Sequence, residues 1–380
     1  MKFATTCIHV GQDPDPTTGA TIPPVHFTTT YTLDAPGESK GFVYSRSANP
    51  TRVALEKCIA ALEGGAAASS FSSGCAATMA VLSTLRPGDS VVAYADLYGG
   101  TYRIFENISR PNGVDTRYAK GTSPADFESL IDASTKLIWL ETPTNPLLRL
   151  IDIDAVTQLA KSRGIAVAVD NTFATPALQQ PLSFGADYVV HSTTKYIGGH
   201  SDVIGGAVIV KDAKLIDPIL FYLKSAGGCP GPMDCYMTHR GIKTLPIRMR
   251  EHCANASAIA RHLVGKRGIA SVIYPMLEEH PDHQLAKKQM CGGGGIVSIL
   301  LEGGFESTSR FCRSTKLFSL AESLGGVESL INHPARMTHA SIPKDVRDAQ
   351  GITDNLVRLS VGIEDVDDLK EDIDQALASI

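Results

Sequence analysis

The sequence lacks the marks of several protein classes. None of its eight cysteines, at 7, 58, 75, 229, 235, 253, 291 and 312, stands in C-x-x-C spacing. That argues against a zinc site and against a thioredoxin-type redox pair. Scattered as they are, the cysteines read as free thiols of a reducing cytoplasm. The eleven histidines are spread out, and "HPDH" at 280 to 283 reads as a polar loop, so no metal is expected. No G-x-G-x-x-G follows the first apolar run, which disfavours a nicotinamide dehydrogenase. A net charge of -5 gives no reason to expect nucleic acid or an anionic membrane as partner. The opening "MKFATTCIHVGQD" has neither the basic nor the apolar region of a signal peptide. Repeats and low-complexity tracts are missing as well.

One stretch lacks charge altogether. From Gly64 to Leu85, "GGAAASSFSSGCAATMAVLSTL" is long enough to span a bilayer. It is rich in Ser, Gly and Ala, and "FSSG" interrupts it, so it should insert poorly. A strand, a tight glycine turn and a buried helix is the better reading, and the protein is expected to be soluble.

What is present is a large, mostly apolar alternation. With 380 residues and 43% hydrophobic content the chain can build a sizeable core. Residues 1 to 48 are rich in Thr, Pro and Gly without periodicity, an arm that should lie on something, such as a neighbouring subunit. After "NPTR" an apolar helical face runs through Val53, Leu55, Cys58, Ile59 and Leu62 and closes on "GG". Six short apolar runs follow: "AAASSFSS", "SVVAYA", "TKLIWLET", "IAVAVDN", "DYVVHST" and "GGAVIV". Helical stretches separate them, which predicts an α/β domain over 49–245 with a mostly parallel sheet covered on both faces. A long amphipathic helix from about 245 leads to a smaller α+β domain over 246–380, with strands at "VIYP", "GGIVSILLEGG" and "NLVRLSVGIE".

Polar clusters fall where these strands end, the usual place for ligands in such sheets. "FSSGCAAT" puts hydroxyls and Gly74 between a strand and a helix start, suited to an anion held by backbone N–H groups. "LETPTNP" ends a strand with Glu141 and Asn145, "AVDNTF" ends one with Asp170, and "HSTTK" ends one with Ser192, Thr194 and Lys195. Each alone is unremarkable: a turn glycine, a helix-capping acid, a solvated lysine. Together they are the parts pyridoxal phosphate needs. A lysine bonds its aldehyde, an acid keeps its ring nitrogen protonated, and N–H and O–H donors take its phosphate.

The chain resembles the cystathionine γ-lyase and γ-synthase group of pyridoxal phosphate enzymes in sulfur amino-acid metabolism. The motifs are "YSRSANPTR", "SSGCAAT", "DLYGGTYR", "ETPTNPLL", "VDNTFATP", "HSTTKYIGGHSD", "AESLGGVESL" and "MTHASIP", in order along nearly the whole chain. The resemblance implies the aspartate aminotransferase-like fold. It implies that Lys195 carries the cofactor and shuttles protons, that Asp170 meets the ring nitrogen and that Tyr98 stacks on the ring. Gly74, Cys75 (through its backbone), Ser192 and Thr194 would hold the phosphate. Tyr44 and Arg46 would reach the phosphate of an adjacent subunit, which makes a homo-oligomer, typically a dimer of dimers. Arg358 would take the substrate carboxylate, assisted by Asn145 and Ser323.

Finer features bear on the reaction. Methionine γ-lyases carry cysteine where this chain has Gly100, and one branch of β-lyases carries tryptophan where it has Leu324. Glu322 and Arg103 match positions that lyases use around the distal amino acid of cystathionine. Cystathionine γ-lyase is therefore the expected activity, with γ-synthase as the alternative. Two positions depart from the pattern. Val43 stands where lyases often have glutamate, and "CGGGG" at 291 to 295 replaces an aromatic and suggests a looser turn.

Overall fold

A computed structural model describes residues 1–340 and 342–380; Ser341, within "MTHASIP", lies outside the described residues. Seven strands form the central sheet: β1 (Ala67–Phe71), β2 (Ser90–Tyr94), β3 (Asp115–Ala119), β4 (Thr135–Glu141), β5 (Ala166–Asp170), β6 (Tyr188–Ser192) and β7 (Gly206–Val210). Their order is β1-β7-β6-β5-β4-β2-β3. Only β7 is reversed, pairing antiparallel with β1 and β6, while the other pairs are parallel. The runs are apolar throughout because both faces are covered. Ile59, Leu62, Val169 and Val189 belong to one buried layer; Val81, Trp139, Ala168 and Val190 belong to the other.

The six apolar runs each supply one of these strands, and the sequence reading misses β3. Its "DTRYA" lies at the sheet edge, where Arg110 pairs with Asp115 and Arg117 with Asp132 at 2.8 Å. An edge strand meets water along one side, so charge serves it better than an apolar run. The charge-free stretch folds as expected, into β1, a short turn and helix α3 described below.

Local signals set the helix ends. Helix α1 spans Phe3–His9 and α2 spans Pro50–Glu63. Asn49 caps α2 by accepting from Thr51 N at 2.9 Å, and Gly64 closes it at φ +70°. Helix α3 (Gly74–Leu82) begins directly behind β1, with Ser73 Oγ accepting from Ala76 N at 3.1 Å. The short α4 covers Gly99–Ile104. The first residues of the arm differ from the expectation of unpatterned chain: α1 packs on α2, and Cys7 is fully buried in its own chain's core. Exposed apolar side chains occur along the arm, at Met1 and Ile8 and then at Ile22, Phe27, Leu33, Val43 and Tyr44.

A helix of 19 residues, Leu245–Leu263, leads to a second sheet of β8 (Ile269–Ile273), β9 (Ile296–Leu301), β10 (Ser319–Leu320), β11 (Leu330–Asn332) and β12 (Leu356–Ser360). The order is β10-β11-β12-β9-β8. Strands β10 and β11 escape the sequence reading because two or three residues cannot display a period. Around this sheet Ile299, Phe311, Val357, Leu359 and Ile373 form a separate buried cluster.

The glycine run before β9 is a correction. It is not a loose turn but a closely packed one. A Cβ on Gly293 would meet the Tyr274 ring at 2.4 Å, and one on Gly295 would meet the Tyr196 hydroxyl at 2.7 Å. Bare backbone is what fits between those two tyrosines.

Candidate active site

Three neighbouring strands end at one place. Glu141 of β4 lies opposite Asp170 of β5, and Asp170 lies opposite Val190 of β6, two residues before Ser192. Above them is a cavity of about 290 Å³. Gly74, Cys75, Tyr98, Asn145, Asp170, Ser192, Thr194, Lys195, Glu322, Ser323 and Arg358 all line it. Residues from both sheets therefore meet, across almost the whole length of the chain.

Three expected site residues lie elsewhere in this chain. Arg103 sits on α4 with its side chain exposed and does not line the cavity, although its charge is felt at Cys75 and Tyr98. Tyr44 and Arg46 are also outside it. Arg46 stacks on Tyr44 at 5.5 Å and donates to Lys224 O. Buried Arg52 fixes their loop from behind, donating to Ser45 O at 2.9 Å and Ser47 O at 2.8 Å.

Lys195 is the cation at the cavity's centre. Its Nζ donates to Ser323 Oγ at 2.7 Å. Burial, with the Arg358 guanidinium adding to it, pulls its pKa down to about 8. Arg358 is almost wholly buried, and burial lowers its pKa to about 10. It donates from Nη1 to Asn145 Oδ1 and from Nη2 to Ser323 O, both at 2.8 Å. Among the described residues its Nε has no partner. A buried guanidinium on a residue that lines the cavity suits a site for an anionic oxygen. Ser323 holds φ at +86°, unusual for a residue with a side chain.

The acids lie below. Burial pushes Asp170 above the usual carboxylate range, while hydrogen bonding from Thr172 and the charge of His191 pull it back. Thr172 N donates to Asp170 Oδ1 at 3.1 Å, and Thr172 Oγ1 accepts from Ser192 N at 2.9 Å, tying β5 to β6. Glu141 is pushed well up by burial and by the adjacent Asp170 charge. Its two oxygens accept from separate loops: Oε2 from Tyr98 N at 2.9 Å and Oε1 from Asn145 N at 3.1 Å. Sequence reasoning marks Glu141 as a strand-end acid but assigns it no task. Its partners are backbone N–H groups, which leave no trace in side-chain identity.

The donor set fits pyridoxal phosphate. Gly74 is a cradle position, since a Cβ there would meet Ser192 Cβ at 2.9 Å. It opens α3, and the first N–H groups of a helix lack intrahelical partners. An amine and an acid at a strand end complete the set. Thr194 Oγ1 already bonds Gly205, donating to its O at 3.2 Å and accepting from its N at 3.1 Å.

Comparison with known proteins agrees with this chemistry. The family described as "Cys/Met metabolism PLP-dependent enzyme" matches residues 4–378. The chain is 50% identical to a cystathionine gamma-synthase of Mycobacterium bovis, over 98% of this chain and 96% of that protein. It is 48% identical to a cystathionine beta-lyase of Coxiella burnetii, over 98% and 97%. The solved structure of cystathionine gamma-lyase from Lactobacillus plantarum, complexed with L-serine, is 41% identical, with a TM-score of 0.97 over 100% of this chain and 99% of that one. These names divide among three reactions, but the family is common to them. The chain is a pyridoxal phosphate-dependent enzyme of cysteine and methionine metabolism.

Proposed function

We propose that the protein is a cystathionine γ-lyase, cleaving cystathionine by α,γ-elimination to cysteine, 2-oxobutyrate and ammonia. The observation that carries this is Glu322, which lines the cavity beside Ser323 while its side chain stays exposed. Cystathionine carries an amino acid at each end. Arg358 with Asn145 suits the carboxylate at the reacting end, and Glu322 offers the distal ammonium a counter-charge.

The residues divide the work. When bound, the cofactor supplies an aldehyde for the substrate amine and a ring that takes up negative charge. Asp170 would hold the ring nitrogen, Tyr98 the ring face, and Gly74, Cys75 N, Ser192 and Thr194 the phosphate. Arg358 and Asn145 fix the substrate carboxylate, which orients the α-hydrogen. Lys195, its amine partly neutral near pH 8, takes the proton from the α-carbon at Nζ. Removal of a proton from the β-carbon then lets the sulfur leave from the γ-carbon, taking up a proton as cysteine's thiol. Water converts the remaining four-carbon fragment to 2-oxobutyrate and ammonia.

Methionine γ-lyase chemistry is disfavoured at Gly100. A Cβ there would meet Tyr98 Cε1 at 2.3 Å, so cysteine at this position requires the tyrosine to move. The γ-synthase reading, replacement on an O-acylhomoserine by cysteine, is second and is favoured by Val43, which leaves an apolar side chain where lyases often have glutamate. A homo-oligomer in which Tyr44 and Arg46 enter a neighbour's site is part of the proposal. It is supported by the braced loop that keeps Tyr44 exposed.

Mass-spectrometric product analysis of the cofactor-loaded protein with cystathionine tests the assignment. Cysteine and 2-oxobutyrate are expected. Homocysteine and pyruvate would make it a β-lyase. Intact cystathionine, with product formed only from an O-acylhomoserine and cysteine, would make it the synthase.

A further inference from the structure

The sheet has a second face beneath the site, and it holds polar groups that the proposed reaction does not use. Successive residues of a strand point to opposite faces. Asp170 and Ser192 line the cavity; Asn171, just beyond β5, and His191 of β6 lie behind them. His191 Nε2 is 2.6 Å from Oε1 of Glu63, at the end of α2, and both side chains are fully buried. Asn171 Nδ2 donates to the same Glu63 oxygen at 2.9 Å and to Gln179 O at 2.8 Å. Gln179 Nε2 in turn donates to Asn171 Oδ1 at 3.0 Å and to Thr142 O, next to Glu141, at 2.9 Å. The ends of β4, β5 and β6 are thus joined from the back.

We propose that the Glu63–His191 pair is a positioning device for Asp170, holding a positive charge behind the sheet so that this acid stays ionised toward the cofactor's ring nitrogen. The proposal rests on Asp170 meeting that nitrogen. A buried ion pair is a poor stabiliser, because desolvation offsets its attraction. Glu63 Oε2 and His191 Nδ1 also have no partner among the described residues, so the pair is costly as mere filling. Its placement accounts for that cost. Burial works against an ionised Asp170, whereas an imidazolium at His191, one strand away, would work for it.

The groups facing the pair are few. Glu63 comes from α2, Asn171 and the Asp170 charge from β5, and β7 offers Ala207. Thr172 and, from behind the sheet, His191 act on Asp170, whose own charge is felt at Glu141 and Cys75.

The test is the cofactor-loaded His191→Gln variant, whose amide can still donate to Glu63 but carries no charge. The visible absorbance of the bound cofactor is titrated with pH, and thermal stability and kcat are measured alongside. Expected are native-like thermal stability, a moved spectral midpoint and a lower kcat at little-changed KM. One unit at Asp170 corresponds to about a tenfold change in its ionised fraction where it is mostly neutral. A Glu63→Gln, His191→Gln double variant should reproduce the moved midpoint if the single variant folds poorly. Asp170→Asn separates the two ideas. If it alters the spectrum while His191→Gln leaves spectrum and kcat unchanged, the pair is only structural and this proposal fails. If Asp170→Asn leaves the spectrum unchanged, the assignment of Asp170 to the ring nitrogen fails as well.

Discussion

The floor and the roof of the cavity are built on different plans. The floor comes from consecutive strand ends of one parallel sheet: Glu141, Asp170, Ser192 and, three residues on, Lys195. Hydrogen bonds between adjacent strands set the spacing of these groups, so little can slide. The roof comes from the second sheet, with Arg358 on β12 and Glu322 and Ser323 in the loop after β10. Arg358 to Asn145 and Lys195 to Ser323 cross the cavity. Around it, Ser298 Oγ to Pro146 O, His339 Nε2 to Asn145 O and a shared apolar cluster that includes Tyr196, Ile296 and Leu324 join roof to floor. A floor spaced by strand pairing suits a permanent cofactor, and a roof that brings a buried guanidinium and an exposed carboxylate suits a substrate charged at both ends.

The largest way to break this comparison is at the floor. Lys195→Ala should keep cofactor without a covalent bond and lose turnover by on the order of a thousandfold or more. Intact-mass spectrometry after borohydride reduction, alongside a rate assay, reads both. Full activity would remove Lys195 from the chemistry.

At the roof, Arg358→Ala should leave the cofactor spectrum unchanged and act on the substrate. Loss of a buried carboxylate pair costs about 2–5 kcal/mol, seen mainly as a raised KM. A changed spectrum in this variant would show that roof and floor are not separable.

Glu141 sharpens the comparison because it touches both parts. Glu141→Gln puts an amide N–H₂ against one of two backbone N–H groups, leaving a buried donor unpaired at about 1–3 kcal/mol. Both the cofactor spectrum, through Tyr98, and the KM, through Asn145, should change. A loss of thermal stability alone would mean that the clamp only holds the fold.

The smallest effect is one of pH. Lys195 titrates at about 8 rather than the ordinary 10.5. Covalent capture of added cofactor by the cofactor-free protein should therefore speed up as pH rises through about 8 and level off well below 10.5. The sign for stability follows from the same shift. Between those values the unfolded chain holds more protons at this lysine, so the cofactor-free protein gains stability with rising pH there. Lys195→Ala should lack that contribution. A capture midpoint near 10 would mean that the cavity does not desolvate the amine.

The floor was far more legible than the roof. Asp170 and Lys195 declare themselves because each is a charged residue at or just past the end of an apolar run, and a parallel sheet gathers such ends. Arg358 sits inside "NLVRLSV", a buried strand read correctly, yet nothing local says which cavity it faces. Only the family resemblance placed it. The clamp of Glu141 and the tight packing of the glycine run depend on backbone atoms brought close by the fold. Arg103 lies outside the cavity lining with its side chain exposed, because a motif match fixes a residue's position along α4 but not the direction of its side chain.

The single tryptophan has a practical consequence. Trp139 is fully buried in β4, edge-on to Phe105 at 5.9 Å, and two residues from Glu141. All of the chain's indole fluorescence therefore originates at one fixed spot beneath the cavity. A bound chromophore that absorbs at indole's emission wavelengths would quench it by energy transfer. The protein thus carries a built-in optical gauge, and its emission can follow cofactor arrival and departure in real time without any label.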